Sequence, residues 1–178
     1  MPAARFVEAL NAQIGNELSA HNQYVACAVH YDAETMPRMA AFFYAQALEE
    51  RDHAMMMVQY LIDTDEEVTI PGVAAPKSRF ADVVEPIALA LAQEKRVTEQ
   101  INALAATARA EGDYTSEQFV QWFIKEQIEE VATMHDLLAW AERSRDRVKD
   151  LEDYVARELA AGEGADPTAP PAAGGAAE

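Results

Sequence analysis

Cysteine is nearly absent from this chain of 178 residues, since Cys27 is the single example. One thiol cannot form an intrachain disulfide, and it cannot build a cysteine-based zinc or iron–sulfur site. Basic residues are also scarce: 14 Lys and Arg stand against 31 Asp and Glu, which gives a formal net charge of −17. That balance argues against nucleic acid and anionic membrane surfaces as partners, because both attract basic proteins.

Long apolar runs are missing as well. No stretch approaches the roughly 18 consecutive apolar residues of a membrane-spanning helix, and the amino terminus MPAARFVEAL lacks the apolar run of a signal peptide. We therefore expect a cytoplasmic protein. Alternation of β-branched and polar residues is also rare, so a sheet is not expected.

Glycine and proline, seven and eight in number, lie mostly between or after long windows with helical periodicity. The pattern predicts four helices over 4–32, 38–65, 81–110 and 114–143, with a shorter fifth helix over 146–160. The link between the second and third helices, which includes TIPGVAAPKSRF, is long. This arrangement predicts an all-α four-helix bundle with one crossover. Residues 1–160 then form one domain, and the Ala-, Gly- and Pro-rich acidic tail 161–178 is expected to be disordered.

Each predicted long helix carries one glutamate in the middle of an otherwise apolar stripe; these are Glu17, Glu50, Glu94 and Glu130. A residue at mid-helix stays at mid-height whichever way the helix runs, so all four can meet in one layer of the bundle. Carboxylates are seldom buried without a partner. The alternative is that some of them reach the bundle edge or pair with arginine. The favoured interpretation is a shared cation site.

The ligand set indicates two metal ions that are held unequally. Two divalent cations balance four carboxylates, and His53, three residues after Glu50, adds an imidazole on the same side of its helix. Mixed carboxylate and imidazole ligands suit iron, manganese or zinc. The Glu-x-x-His spacing occurs only once among these helices, because Gln127 stands three residues before Glu130. We predict one ion on Glu17, Glu50 and His53, and another on Glu50, Glu94 and Glu130. Gln127 is then a weak ligand or a hydrogen-bond donor to one, and weaker retention suits metal in transit.

Four segments carry a resemblance to a known family: ELSAHNQY from Glu17, LEERDHAMMM from Leu48, the pair Gln93–Glu94, and FVQWFIKEQIEEVA from Phe119. Together they resemble non-haem bacterial ferritins, whose bundles carry di-iron sites of this kind. The resemblance implies a ferroxidase that acts on Fe²⁺ and O₂ at the bundle centre. It also implies a homo-oligomeric shell of twenty-four subunits that stores ferric mineral.

The same resemblance assigns further residues. It implies a third iron site built from Glu49, Glu126 and Glu129, beside the pair of ions. It places Tyr24 next to that pair, where its hydroxyl can bond a ligand or supply an electron, and Trp122 is a candidate for the same role. The alternative for both is a buried aromatic side chain with a satisfied polar end, and this alternative is favoured for Trp122. The implied catalytic set is therefore Glu17, Glu50, His53, Glu94, Glu130 and Tyr24.

Two departures from the related bacterioferritins argue against haem and against a permanent di-iron cofactor. Asp52 stands where that family has its haem-binding methionine, and Glu130 stands where it has a histidine.

Three other functions compete with iron storage. A rubrerythrin-like di-iron peroxidase normally carries a CxxC module, which a single cysteine rules out. A DNA-protecting mini-ferritin of twelve subunits often has a basic tail, whereas this tail is acidic. A purely structural bundle predicts no bound metal.

Overall fold

The computed structural model describes residues 1–159 and 166–174, and the secondary structure in these ranges is entirely helical. The helices are α1 (Ala4–Ala33), α2 (Pro37–Asp63), α3 (Glu85–Ala110), α4 (Tyr114–Arg143) and α5 (Val148–Tyr154), and a π-helical turn follows at Val155–Leu159. This confirms the predicted all-α fold with a short fifth helix. Within the same ranges, no helix has the length and apolarity needed to cross a membrane.

The four long helices pack as two hairpins. α1 packs along α2 after a link of three residues, α3 packs along α4, and α1 also contacts α3. Side-chain hydrogen bonds hold the crossover from α2 to α3 against α1. Asn11 accepts a hydrogen bond from the backbone N–H of Thr69 and donates one to the carbonyl of Glu67. Further along α1, Gln23 exchanges two hydrogen bonds of 2.9 Å with the backbone of Lys77. The crossover is therefore anchored along the bundle.

The crossover also packs closely against α1 at Gly15. A Cβ atom placed on Gly15 lies 2.6 Å from Cγ of Pro71, inside van der Waals contact. The missing side chain is what lets Pro71 approach the helix, so glycine is needed at this position despite its low helix propensity.

Several helix boundaries differ from those predicted. α3 begins at Glu85 rather than at 81. The Asp82 carboxylate accepts hydrogen bonds from the backbone N–H groups of Val84 and Glu85, and these bonds hold the residues before Glu85 in a bend instead of a helix. α2 ends at Asp63 because Asp65 adopts a left-handed φ of 59°. The fifth helix begins at Val148 rather than 146, and its α-helical part ends at Tyr154.

The core is divided into two apolar halves. One half surrounds Tyr24, Phe43 and Met134, and the other surrounds Leu10, Met57 and Phe123. The residues between them form what we call the polar layer: Glu17, Glu50, His53, Glu94, Gln127 and Glu130. The prediction that four mid-helix glutamates share one level of the bundle agrees with this division.

Part of the carboxyl-terminal tail lies against α2 and α4. Asp166 accepts hydrogen bonds of 3.2 Å from Nε1 of Trp122 and Nζ of Lys125, both on α4. The N–H of Ala173 donates to the carbonyl of Met55 on α2 at 3.0 Å. Residues 160–165 and 175–178 lie outside the described residues. The expectation of disorder for 161–165 and 175–178, and of helix at residue 160, therefore stays a prediction.

Candidate metal centre

All four mid-helix glutamates are buried. The exposed fraction of each residue is 1% for Glu17, 1% for Glu50, 0% for Glu94 and 7% for Glu130. In the described part of the chain, none of them forms an ion pair with lysine or arginine. The alternative of side chains that reach the bundle edge or pair with arginine is therefore wrong for these residues. Uncompensated carboxylates in such a place need protons or cations.

Glu17, Glu50 and His53 form a compact group of possible metal ligands. One ligand atom from each lies within 4.8 Å of the others, and Nδ1 of His53 is 3.7 Å from Oε2 of Glu50. One Oε2 atom on each glutamate is buried and has no hydrogen-bond partner among the described residues. Lone pairs left unsatisfied in this way are available to a cation, so the group fits a metal ion.

Glu94 is held by two hydrogen-bond donors. The hydroxyl of Tyr24 donates to its Oε1, and Nε2 of Gln127 donates to its Oε2 at 3.3 Å. Oε1 of Gln127 lies 2.8 Å from the hydroxyl of Thr98, which orients the amide. In the structure, Gln127 is thus a hydrogen-bond donor to a predicted ligand.

Glu130 faces a region of negative charge. Burial raises its pKa well above the ordinary value, and repulsion from Glu94, Glu49 and Glu126 raises it further. Glu49 is exposed, whereas Glu126 and Glu129 are half-buried. In the described residues, these three side chains do not join a group as compact as that of Glu17, Glu50 and His53.

Burial shifts the pKa of every ionisable group in the layer toward its neutral form. Desolvation, followed by repulsion from neighbouring carboxylates, raises the pKa of Glu50, and burial likewise raises that of Glu17. Burial raises the pKa of Glu94 to about 7 and lowers the pKa of His53 to about 4. Without a cation the layer therefore holds protons on carboxylates and a neutral imidazole. A neutral imidazole is the form that ligates a metal.

Trp122 and His21 lie close to the layer. The ring of Trp122 meets that of His53 edge-on, with 5.6 Å between ring centroids. His21, one turn after Glu17, places Nδ1 2.6 Å from the carbonyl oxygen of Ala47, and so joins α1 to the backbone of α2. That contact gives His21 a structural role.

The sequence interpretation missed two amides beside Glu17. Gln13 donates to the Glu17 carboxylate and accepts from Asn16, both at 2.8 Å. The signal was present, because Gln13 stands four residues before Glu17 and so shares its helix face. The apolar stripe by itself does not reveal it, because Gln13 is polar.

Comparison with known proteins gives a consistent result. A family model described as a ferritin-like domain matches residues 7–144. Ferritin BfrB of Mycolicibacterium smegmatis is 54% identical over 172 residues, which are 97% of this chain and 94% of that protein. Ferritin BfrB of Mycobacterium tuberculosis is 49% identical, with 98% and 96% of the two chains covered.

A more distant relative and a solved structure extend the similarity. The bacterial non-heme ferritin of Staphylococcus epidermidis is 34% identical, with 90% of this chain and 96% of that protein covered. An open pore ferritin from Archaeoglobus fulgidus superimposes with a TM-score of 0.83 at 26% identity, over 86% of this chain and 95% of that one. These matches span the bundle and the polar layer.

Proposed function

The chain belongs to the ferritin family, and from that membership we propose that it stores iron by oxidising Fe²⁺ with O₂ in the polar layer. Fe²⁺ is the substrate, and each ion gives up one electron to O₂. The observation that carries the proposal is the compact group of Glu17, Glu50 and His53. The Oε2 atoms of the two glutamates are buried and have no hydrogen-bond partner among the described residues. Buried oxygens of this kind need either a proton or a cation, and the imidazole beside them supplies a third ligand for a cation.

The carboxylates favour the oxidised ion. Oxygen anions are hard ligands, and they attract Fe³⁺ more strongly than Fe²⁺ because its charge is higher. Burial strengthens that attraction, since little solvent remains to screen it. The layer therefore drives oxidation as well as binding.

Glu50 is the proposed bridge between two ions. Glu50 belongs to the compact group with Glu17 and His53. Repulsion from Glu94 contributes to its raised pKa, so Glu50 is also near the proposed ligands of the second ion. The first ion is held by three groups that include an imidazole. The second lies with Glu50, Glu94 and Glu130 and has no imidazole, so it is bound more weakly.

The third site is proposed next to Glu130, on Glu49, Glu126 and Glu129. The repulsion that Glu49 and Glu126 exert on Glu130 supports it, because a cation among these groups relieves that repulsion. Ferric ions leaving the pair can pass along these carboxylates toward a mineral.

The assembly proposed for the chain is a cytoplasmic shell of twenty-four copies that encloses the mineral, without haem. Light scattering of the purified protein separates this shell from the twelve-subunit mini-ferritin at once, because the two masses differ twofold.

An anaerobic titration of the metal-free protein with Fe²⁺ tests the activity. We expect saturation at two or three ions per chain, followed by rapid oxidation when O₂ is admitted. Glu50→Ala should abolish the rapid phase, whereas the control Glu142→Ala, an exposed position of α4, should not. Zero stoichiometry, or unchanged oxidation kinetics in Glu50→Ala, would falsify the proposal.

A further inference from the structure

Glu17 is held by a chain of two amides that leads to the outside of the bundle. Nε2 of Gln13 donates to Oε1 of Glu17 at 2.8 Å, and Oε1 of Gln13 accepts from Nδ2 of Asn16 at 2.8 Å. Gln13 is 2% exposed, whereas Asn16 is half-buried. The second N–H of the Gln13 amide points toward Oε1 of Gln100 on α3, at 3.4 Å. Every polar atom of this buried amide is thus satisfied.

The two amides determine which oxygen of Glu17 is available to a metal. The hydrogen bond from Gln13 occupies Oε1, while Oε2 is buried and has no partner among the described residues. A carboxylate fixed through one oxygen offers the other as a single ligand atom in a defined direction. Groups that orient ligands in this way commonly control metal affinity.

Asn16 contributes to the orientation of the Gln13 amide. A glutamine amide can turn over and exchange its oxygen and nitrogen at little cost, unless its neighbours favour one orientation. Because Asn16 presents a donor, the oxygen of Gln13 faces Asn16 and the nitrogen faces Glu17. The acceptor on Gln100 favours the same orientation.

We propose that Gln13 and Asn16 are positioning residues for iron binding: Asn16 orients Gln13, and Gln13 holds Glu17 as a ligand through one oxygen. This inference rests on the proposed function, because it assumes that Glu17 binds the metal. Neither residue touches the ion. Their effect passes along the chain Asn16–Gln13–Glu17.

Asn16→Asp is the sharpest test, because it keeps the size of the side chain and replaces the donor with an acceptor. The introduced carboxylate then faces Oε1 of Gln13. Either these two oxygens repel each other, or the Gln13 amide turns over and presents its oxygen to Glu17; both outcomes disturb the hydrogen bond that holds Glu17. Metal affinity should fall about tenfold to a hundredfold, the usual effect of losing such a support. If the added negative charge acted only by attracting the cation, the metal affinity of Asn16→Asp should rise instead.

The metal affinity is measured with Co²⁺, a probe ion that replaces Fe²⁺ and is not oxidised during the titration. The visible absorption of Co²⁺ reports how many atoms coordinate the ion. When Oε1 of Glu17 loses its hydrogen bond from Gln13, it becomes available as a second ligand atom, so the intensity of the absorption band should change together with the affinity. Gln13→Met should have the same two effects, and Asn16→Asp should add nothing in the Gln13→Met background, because the residues act in series. Gln23→Met is the matched control: Gln23 is a buried amide of α1 that contacts the backbone of Lys77.

The outcomes separate the two proposals. If the unmodified protein binds neither Fe²⁺ nor Co²⁺, the proposed function is wrong. If it binds both, and Asn16→Asp and Gln13→Met bind with unchanged affinity and spectrum, only the positioning role is wrong. Equal losses in Gln23→Met and Gln13→Met also overturn it, because the effect is then general destabilisation.

Discussion

The hydroxyl of Tyr24 on α1 donates a hydrogen bond to the carboxylate of Glu94 on α3, across 70 positions of the sequence. Both side chains are fully buried. The contact joins two helices at the level of the candidate metal site, and it gives Glu94 a hydrogen-bond donor. Gln127 is a second donor to the same carboxylate.

Tyr24→Phe should slow iron oxidation about tenfold, in line with the usual effect of removing a group that supports a ligand. The substitution keeps the ring and removes the hydrogen bond that lowers the pKa of Glu94, so this carboxyl should hold its proton more strongly and yield it less readily to metal. Stopped-flow absorbance of Fe³⁺ formation measures the rate. Tyr114→Phe, at a residue 77% exposed, is the control. Equal rates in the two variants contradict the expectation.

His53→Ala should remove the tighter of two metal-binding steps. His53 supplies the only imidazole in the compact group, and the remaining ligands are carboxylates. An anaerobic Fe²⁺ titration should lose its first, tight phase and keep a weaker one. His135→Ala is the matched control, because the His135 side chain is 68% exposed and contacts Asp136. If the titration of His53→Ala keeps its tight phase, the first Fe²⁺ ion does not bind at His53.

The metal-free protein should lose stability as the pH rises. The pKa of Glu94 is raised from 4.5 to about 7, so its contribution is complete below pH 4.5 and is lost as the pH rises through about 7. Glu17, Glu50 and Glu130 are shifted in the same direction. His53 acts oppositely, because its pKa is lowered from 6.5 to about 4, but this effect ends above pH 6.5.

The clearest window for this measurement therefore lies above pH 6.5. The melting temperature of the metal-free protein should fall from pH 6.5 toward pH 8. Added Zn²⁺ should remove or reverse the trend, because a cation replaces the protons on the carboxylates. A melting temperature that rises over this range without metal shows that the layer is ionised and compensated in some other way.

Gly15→Ala should destabilise the protein by about 1–3 kcal/mol, the usual cost of overpacking. Alanine ordinarily stabilises a helix interior relative to glycine, but here its Cβ meets Pro71 at 2.6 Å. Gly72→Ala is the control, since a Cβ there meets nothing within 4 Å. Thermal unfolding compares the two, and Pro71→Ala should rescue Gly15→Ala. If Gly15→Ala is as stable as the parent, the crossover does not press on α1.

Asp166→Ala should release the tail from α4. The substitution removes the acceptor for Trp122 and the ion-pair partner of Lys125. In a Trp140→Phe background Trp122 is the only tryptophan, so its fluorescence should shift to longer wavelength as water reaches the ring. High salt should shift the parent in the same direction, because it screens the ion pair. Asp146→Ala, in the exposed link after α4, is the control. Unchanged emission in Asp166→Ala shows that the tail does not cover Trp122.

The fold was largely predictable because helical periodicity and the positions of glycine and proline are local signals. The error at the start of α3 came from Asp82, whose hydrogen bonds to Val84 and Glu85 compete with helix formation over a few residues. Periodicity does not detect that competition.

The buried glutamates were predictable for the same reason, since each interrupts an apolar stripe. Gln13 was within reach of that reasoning, because it lies one turn before Glu17. The contact between Asp166 and Trp122 was not, because it joins residues 44 positions apart through a segment without periodicity. Only the three-dimensional path of the tail brings them together.

Because the core is divided into two apolar halves, the metal-binding properties of the polar layer can change without a change in the packing that stabilises the bundle. Each half packs around its own aromatic side chains. A replacement of one ligand by another in the intervening layer can therefore alter which metal is bound, or how firmly, without dismantling the bundle. Such a scaffold can diversify: its reactivity can be revised one position at a time while its architecture is inherited unchanged.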